Sequence, residues 1–246
     1  MRGGPSAVAA AAHTFVADLA DLVRVEGDDG HHLQRVRRLR VGETVTAADG
    51  RGTWRVYRVR TSSPGALELE ATSGLAVEPE LAPRLVVAFA LTKHRPDSVA
   101  QQLTELGVDG LVVLAATRSV ARWDARRAPA ALERLRRVVA EAGAQCRRAR
   151  LPGVDGPVET TALVGHPGLV VADLEGLGAD ELPVPPAREW LVAVGPEGGF
   201  DDGERAALAA APRLRLGPFV LRAQTAAVAA AAVLGERRRH VPERPR

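Results

Sequence analysis

Hydrophobic and polar positions follow two rhythms along the chain, and the rhythm changes near Leu75–Pro83. From Thr14 to about Ala76, apolar and polar side chains alternate in short runs: FVADL, TVTAADGRGTWRVYRVRTS and GALELEAT. Successive side chains of a strand point to opposite faces, so such alternation predicts β-strands with one buried face. Asp49-Gly50 and Pro64-Gly65 are turn signals between them. HHLQRVRRLR, His31 to Arg40, fits a short helix or a turn leading into a strand. Together these runs predict a small barrel-like β-domain of about 70 residues. LAVEPELAP, with two prolines and two glutamates, reads as a linker.

Beyond the linker, strand and helix patterns alternate. Leu85–Leu91, Leu111–Ala116, Leu169–Leu174 and Trp190–Gly195 are short, apolar and valine-rich, as strands buried on both faces are; Leu214–Gly217 is a short last one. One helix pattern opens at Pro96, carries Val99, Leu103 and Leu106 on one face and stops at Gly107. A longer one runs from Ala128 to Arg147, with Leu132, Leu135, Val138, Val139 and Ala142 on its stripe. An Ala-rich helix closes the fold at about Leu234, and the basic tail GERRRHVPERPR is expected to be disordered. Alternating strands and helices imply an α/β fold with a parallel sheet. Ligands of such sheets sit beyond the carboxyl ends of the strands. The ends to inspect are Asp173–Glu175, Gly195–Gly199 and Gly217–Arg222.

Composition narrows the functional classes. A chain of 246 residues that is 46% hydrophobic can bury a core in two modest domains. No apolar run approaches the ~18–20 residues that cross a bilayer. The start, MRGGPSAVAAAAHTF, is a poor secretory signal, because its apolar part is short and His13 interrupts it. The single cysteine, Cys146, excludes an internal disulfide or a cysteine metal cluster and fits a reducing cytoplasm. Net charge is only +3, Lys93 is the only lysine, and isoleucine and asparagine are absent. That bias fits a GC-rich genome, so local clustering of arginine says more than the total. Residues 31–60 hold eight arginines (positions 35, 37, 38, 40, 51, 55, 58 and 60) against Glu43 and Asp49. Contact with a phosphate backbone needs such a basic face. A solvated strand face in an arginine-rich chain would look the same.

Two turns carry the candidate chemistry. In VAVGPEGGFDDGERAAL, Val192–Leu208, Gly198 and Gly199 allow positive φ and close approach to a ligand. Asp201 or Asp202 can cap the next helix, with Glu204 in its first turn. The stretch is like a phosphate cradle but lacks both GxxxxGKS/T and GxGxxG. Glu197 would also repel a polyphosphate. A carboxylate among backbone N–H groups suits hydroxyls, an amino group or a cation, and S-adenosylmethionine carries all three. A tight strand-to-helix turn with no ligand fits the same letters. In the second turn, Leu214–Ala226, Arg222 and Gln224 start a helix of small residues. They can face a pocket, or Arg222 can be solvated while the alanines pack.

The ordered set HHLQRVRRLRVGE with ADGRG, TELGV (Thr104–Val108), EAGAQCRRARLP (Glu141–Pro152), VGPEGGFDDGE and LGPFVLRAQTA resembles the RsmE family of 16S ribosomal RNA (uridine-N3) methyltransferases, of the SPOUT superfamily. The resemblance covers nearly the whole chain. It implies a PUA-like RNA-binding β-barrel domain over residues 1–78 and a SPOUT-type parallel sheet with a deep trefoil knot over 83–240. Periodicity shows no knot, and the general rule is against one. The resemblance further implies S-adenosyl-L-methionine held by Leu174, Gly195, Pro196, Glu197, Gly198, Gly199, Leu216, Gly217, Leu221, Thr225 and Ala226. A homodimer through the C-terminal helix and a cytoplasmic substrate, 16S rRNA or the small ribosomal subunit, go with it. Arg35, Arg37, Arg38 and Arg40 are expected on RNA phosphates, and Arg148 with Gln145 and Arg147 on RNA or an interface. Lys93 and His94 follow a strand and are weaker candidates. No membrane or metal is implied.

One departure bears on mechanism: the usual LRTETA reads LRAQTA here, with Ala223 for Thr and Gln224 for Glu. N3 lies on the pairing edge of uracil, so the base must be flipped or unpaired. The enzyme's task is then alignment of two reactants. Arg222 is the candidate donor to O2 or O4 of the uracil anion. Gln224 can accept from N3–H and donate to a carbonyl but is no base. Glu197 is the nearest remaining carboxylate. The competing readings are a non-catalytic RNA-binding member of the fold, a methyltransferase for another RNA site, and a dehydrogenase-like nucleotide enzyme, the last disfavoured by the missing Rossmann fingerprint.

Overall fold

A computed structural model describes residues 3–31, 33–34, 38–91, 96–186 and 188–241. The chain divides into two units, Met1–Glu80 with Ala140–Leu151, and Leu81–Val139 with Pro152–Arg246. The first holds β1 (Ala12–Phe15), β2 (Leu22–Val25), α1 (Gly27–His31), β3 (Thr44–Ala48), β4 (Thr53–Ser63), β5 (Ala66–Ala71) and β6 (Ala76–Val77). The second holds β7 (Arg84–Ala90), α2 (Pro96–Glu105), β8 (Gly110–Leu114), most of α3 (Ala128–Cys146), β9 (Gly153–Val158), β10 (Leu169–Leu177), β11 (Glu189–Val194), α4 (Asp202–Ala207), β12 (Arg213–Leu214) and α5 (Ala223–Arg238).

In the first unit the strands pair in the order β1-β3-β4-β5-β2, with β6 against β4. Only β1 and β3 are parallel. The long β4 serves β3 with its first half and β5 with its second, and a register slip between Val59 and Thr61 bends it. The sheet packs around a main core of Val45, Tyr57, Val59, Leu67 and Leu69, all essentially without solvent contact, beside a smaller cluster of Ala48, Trp54 and Ala149. The segment Leu75–Pro83 is more than a linker. It contains β6, and the Glu78 carboxylate accepts from the backbone N–H groups of Ala149 (2.9 Å) and Arg150 (2.8 Å).

The family-like stretch EAGAQCRRARLP lies largely in this unit. Arg147, at φ 59°, ends α3 in the left-handed region, and its guanidinium donates to the carbonyls of Val8 and Ala10 (3.1 and 2.7 Å). His13 is buried, and that burial lowers its pKa to about 4, so the ring is neutral at physiological pH. Its Nε2–H donates to the Arg148 carbonyl at 2.9 Å, and Nδ1 accepts from the Thr46 hydroxyl at 2.8 Å. Arg147 therefore spends its charge on this unit's own backbone.

In the second unit six parallel strands run in the order β12-β10-β11-β7-β8-β9. All carboxyl ends therefore fall on one edge. Leu85, Val87, Ala88, Trp190, Val192 and Ala193 have no exposed surface, as valine-rich central strands require. Against β7 packs α5, through Ala227, Ala230, Ala231 and Leu234, whose small side chains allow close approach.

Several boundaries differ from the sequence-based expectation. β9, with sequence GVDGPV, was not expected; it is an edge strand, where Gly and Pro are tolerated. β10 continues to Leu177, so Leu174 lies inside the strand. Leu106 is part-exposed, and α2 buries Val99, Ala100, Leu103 and Thr104 instead. The largest correction is at the C-terminus. Residues 235–238, expected in a disordered tail, form the last turn of α5, and Arg238 is 4% exposed. Its guanidinium donates to the Asp109 carboxylate (2.7 Å) and the Gly107 carbonyl (2.6 Å). The same Asp109 oxygen accepts from the Leu85 N–H at 2.8 Å, so the buried charges are paired.

Candidate functional site

The middle of β10 and the turns that follow β11 and β12 enclose one cavity of about 370 Å3. Val171–Leu174 of β10 form one wall. Gly195–Phe200, after β11, form the second, with Arg205 and Leu208. Leu216, Gly217, Phe219–Leu221 and the first turn of α5 (Ala223, Ala226) form the third. The volume lies in the range of about 300–1,000 Å3 typical of small-molecule sites.

The turn after β11 is held from several sides. Its Gly199 N–H donates to the Pro196 carbonyl at 2.8 Å, and Gly199 takes φ 68°. Gly198, expected to share that conformation, does not; only Gly199 needs it. At Gly195 a Cβ would stand 3.3 Å from the Phe200 ring, so glycine lets that ring fold back on the strand end. Arg118, in the loop after β8, donates to the carbonyls of Gly198 (3.2 Å) and Phe200 (3.4 Å), and Arg205 Nε donates to Phe200 O at 2.9 Å.

Asp201, rather than Asp202, caps α4. Its carboxylate accepts from Glu204 N–H at 2.7 Å, and the Glu204 carboxylate accepts from Asp201 N–H at 2.9 Å. The Glu204 N–H, and then Thr117, hold the Asp201 pKa below the usual carboxylate value. Glu204 is only 6% exposed. Its Oε1 accepts from Thr117 N–H (3.0 Å) and the Thr160 hydroxyl (2.7 Å), while Oε2 takes Asp201 N–H. All three partners are donors. An ionised carboxylate, which only accepts, satisfies them all. Since β8 and β9 lie beyond β7 in the sheet, this one side chain ties the cavity wall to strand ends two and three places away. The capping box was legible as D-x-x-E; Thr117, Thr160 and Arg118 had no local pattern to mark them.

The turn before α5 differs. Phe219 is 76% and Val220 82% exposed, though both line the cavity. Arg222 is the N-cap of α5, exposed, and makes no side-chain capping bond. Gln224 is half-buried and Thr225 exposed. Of the residues expected to bind cofactor, all but Thr225 line the cavity; so does Glu197, exposed at its rim. Arg222 and Gln224 alternate with the lining residues Leu221 and Ala223 but are not part of the lining. Two more charges face the cavity, Asp173 and Arg213, paired at 2.9 Å. The lining holds two carboxylates, Asp173 and Glu197, and two guanidiniums, Arg205 and Arg213, the latter paired with Asp173. Glu197 is left to meet a cation, and with apolar walls and a glycine-rich backbone the residues present fit S-adenosylmethionine.

Among the expected RNA contacts, Arg38 and Arg40 are exposed on the first unit, Arg38 at φ 54°. Arg148 is half-buried and Gln145 exposed. Arg35, Arg37, Lys93 and His94 lie outside the described residues. Arg55 is occupied internally, by Asp21 (2.6 Å) and by the carbonyls of Leu19 and Ser73.

Comparison with known proteins places these observations. A family model described as an RNA methyltransferase domain matches residues 79–235, and one described as an RNA methyltransferase PUA domain matches residues 25–71. Ribosomal RNA small subunit methyltransferase E of Mycobacterium bovis is 36% identical over 230 residues, covering 89% of this chain and 87% of that protein. Its namesake from Bacillus subtilis is 24% identical over 217 residues, 82% of this chain and 85% of that protein. The crystal structure of the Neisseria gonorrhoeae protein of that name, bound to S-adenosyl methionine, has the same fold, with a TM-score of 0.80, 23% identity and coverage of 92% and 97%. A Legionella pneumophila protein in complex with the cofactor SAM also scores 0.80, at 24% identity over 92% and 97%. The α/β unit with its parallel sheet and the PUA-like N-terminal unit are thus those of a known architecture, and the chain belongs to the ribosomal RNA small subunit methyltransferase E family.

Proposed function

We propose that this protein transfers a methyl group from S-adenosylmethionine to N3 of a uridine in 16S ribosomal RNA of the small subunit. The observation that carries the reading is the cavity at the sheet's carboxyl edge. Its walls are the two turns whose sequences mark the family, and Glu197 at its rim offers a carboxylate to a cationic ligand. The Gly195–Gly199 turn, Leu174 and Leu216–Leu221 would hold the cofactor, with Glu197 and Asp173 as the carboxylates nearest to any positive charge. The bound cofactor supplies an electrophilic methyl on its sulfonium.

The chain's own part is placement and charge. The target uracil, flipped from its stack, enters at the mouth of the cavity beside Arg222. Gln224 accepts from N3–H and donates to a ring carbonyl, which fixes the base edge-on. Arg222, exposed beside the rim, donates to O2 or O4 as negative charge develops there. Glu197 at the rim takes the N3 proton. Residues 1–78 are the RNA-binding domain, with Arg35, Arg37, Arg38, Arg40 and Arg148 on the backbone, and 83–240 the methyltransferase domain with its trefoil knot.

Two further parts of the proposal concern assembly and place. Leu174, Leu177, Phe219 and Val220 are large apolar side chains exposed in the second unit, and all but Leu177 line the cavity. A second copy of the chain, docked beside the cavity, would cover them, so the active species is a homodimer. Among the described residues no helix is long and apolar enough to cross a membrane, and the reaction belongs in the cytoplasm with the ribosome.

The test is methyl transfer to small subunits from a strain that lacks the modification. N3-methyluridine should appear in 16S RNA only with both protein and cofactor. Subunit binding without product would establish the non-catalytic reading, which the Gln224 substitution favours.

A further inference from the structure

The loop between β8 and α3 carries the sequence TRSVARWDARR, residues 117–127. It holds four arginines, Arg118, Arg122, Arg126 and Arg127, against one acid, Asp124. The chain has 33 lysines and arginines in 246 residues, about one in seven, so four in eleven is a local excess. The four do not do the same work. Arg118 holds the carbonyls of Gly198 and Phe200, in the wall of the cofactor cavity. Arg122 folds back on the carbonyls of Ala116 and Thr117. These two fix the loop beside the cavity.

Arg126 and Arg127 are exposed. Asp124 accepts from their backbone N–H groups at 3.0 and 2.8 Å, which sets the turn into α3 without using the guanidiniums in those bonds. The Arg127 guanidinium is 3.7 Å from Asp124 but 81% exposed, a contact of little strength. Among the described residues the two guanidiniums add no more than this one weak surface pair to the fold. Both precede the positive end of a 19-residue helix that has no acid in its first turn. Helix stability favours anions there, and cations are disfavoured. Half-buried Trp123 lies between the two arginine pairs, an aromatic among cations in a chain with 3% aromatics.

We propose that this loop is an RNA-contacting element of the methyltransferase unit itself. Arg126 and Arg127 bind the phosphate backbone next to the target nucleotide, and Arg118 joins that contact to the cofactor wall. The inference rests on the function proposed above. It adds to the arginines of the first unit a set of phosphate ligands built into the catalytic unit. Guanidiniums release counterions when they meet phosphates, so each contact adds to the salt dependence of binding.

The test is the double variant R126E/R127E, with R239E, at the exposed C-cap of α5, as a charge-reversal control. Binding to unmodified small subunits is measured over a range of salt, with S-adenosylmethionine affinity and Tm alongside. The double variant should bind the subunit at least tenfold more weakly at ~0.1 M salt. Its log–log salt slope should be shallower by about 1.5–2, the share of two phosphates. Cofactor affinity and Tm should not move. Subunit affinity equal to wild type, or a loss no larger than that of R239E, would overturn the inference. A wild-type protein that binds no subunit would instead remove the proposed function, a different result from the same titration.

Discussion

The two turns that wall the cavity are built on opposite principles. The one after β11 is over-determined: a capping box, a buried carboxylate with three donors, two guanidiniums on its carbonyls and a ring folded onto Gly195. The one before α5 shows an exposed phenylalanine, an exposed valine and an uncapped helix start. A wall fixed before the ligand arrives adds no ordering cost to binding, which suits a cofactor. A wall with apolar side chains in water still has something to meet. On the function proposed above both turns hold the cofactor, and the exposed side chains of the second, Phe219 and Val220, are left for whatever comes from outside, a nucleotide or a second copy.

The contrast breaks most visibly at Glu204. Replacing it by Ala leaves three donors without their acceptor in a nearly dry site, a loss of about 3 kcal/mol. Glu204→Gln keeps the volume but turns an amide N–H₂ toward a donor on one side or the other. Thermal denaturation should show both variants destabilised, Ala more than Gln. In calorimetry, Gln should weaken S-adenosylmethionine at least tenfold. A folded Gln variant with wild-type cofactor affinity would mean the first turn does not depend on this carboxylate. At the second turn, Arg222→Ala should behave in reverse. Stability should stay within about 0.5 kcal/mol, as for an exposed residue. Turnover should fall about a hundredfold, the scale seen when a charge-stabilising donor is lost. A selective loss of RNA affinity would move Arg222 from the reaction centre to the phosphate contacts.

How much of this was legible beforehand follows the same division. Local order was readable: alternation marked β3–β5, valine-rich runs marked β7, β8, β10 and β11, and D-x-x-E marked the cap of α4. Both turns stand out because glycine, proline and charged residues interrupt apolar runs. The partners of Glu204 were not readable, because Thr117 and Thr160 lie 87 and 44 residues away and are ordinary in their own surroundings. The burial of Arg238 is hidden for a related reason. An arginine-rich end looks solvated until Asp109, 129 residues earlier, is brought beneath it. Arg147 and Arg55 likewise looked free to meet RNA, and the backbone carbonyls that occupy them are invisible in a charge count.

A smaller effect is expected at Asp201. Asp201→Ala removes one side of the capping box and should lower Tm by about 2 °C, with Asn restoring most of it. The folded-state pKa of Asp201 is lowered, so its contribution is complete above the ordinary aspartate range and is lost as pH falls through the lowered value. Wild type and D201N should therefore converge in Tm as the pH is lowered; a gap that widened would reverse the sign.

The smallest change in stability, and the sharpest test of the second turn, is Phe219→Ala. At 76% exposure the ring adds almost nothing to the folding of one chain, so Tm at high dilution should match wild type. What the ring buries on meeting a partner is another matter: an aromatic covers 150–250 Å2, and at about 25 cal/mol per Å2 even half of that is about 2–3 kcal/mol per ring. In a two-fold dimer the substitution counts twice. Sedimentation velocity should show the dimer dissociating at a protein concentration at least tenfold higher than for wild type. If the dimer holds but the KM for small subunits rises with cofactor affinity unchanged, Phe219 faces the flipped base and not the second copy. If neither moves, the exposed turn is not a docking surface, and the contrast between the two walls loses its functional meaning.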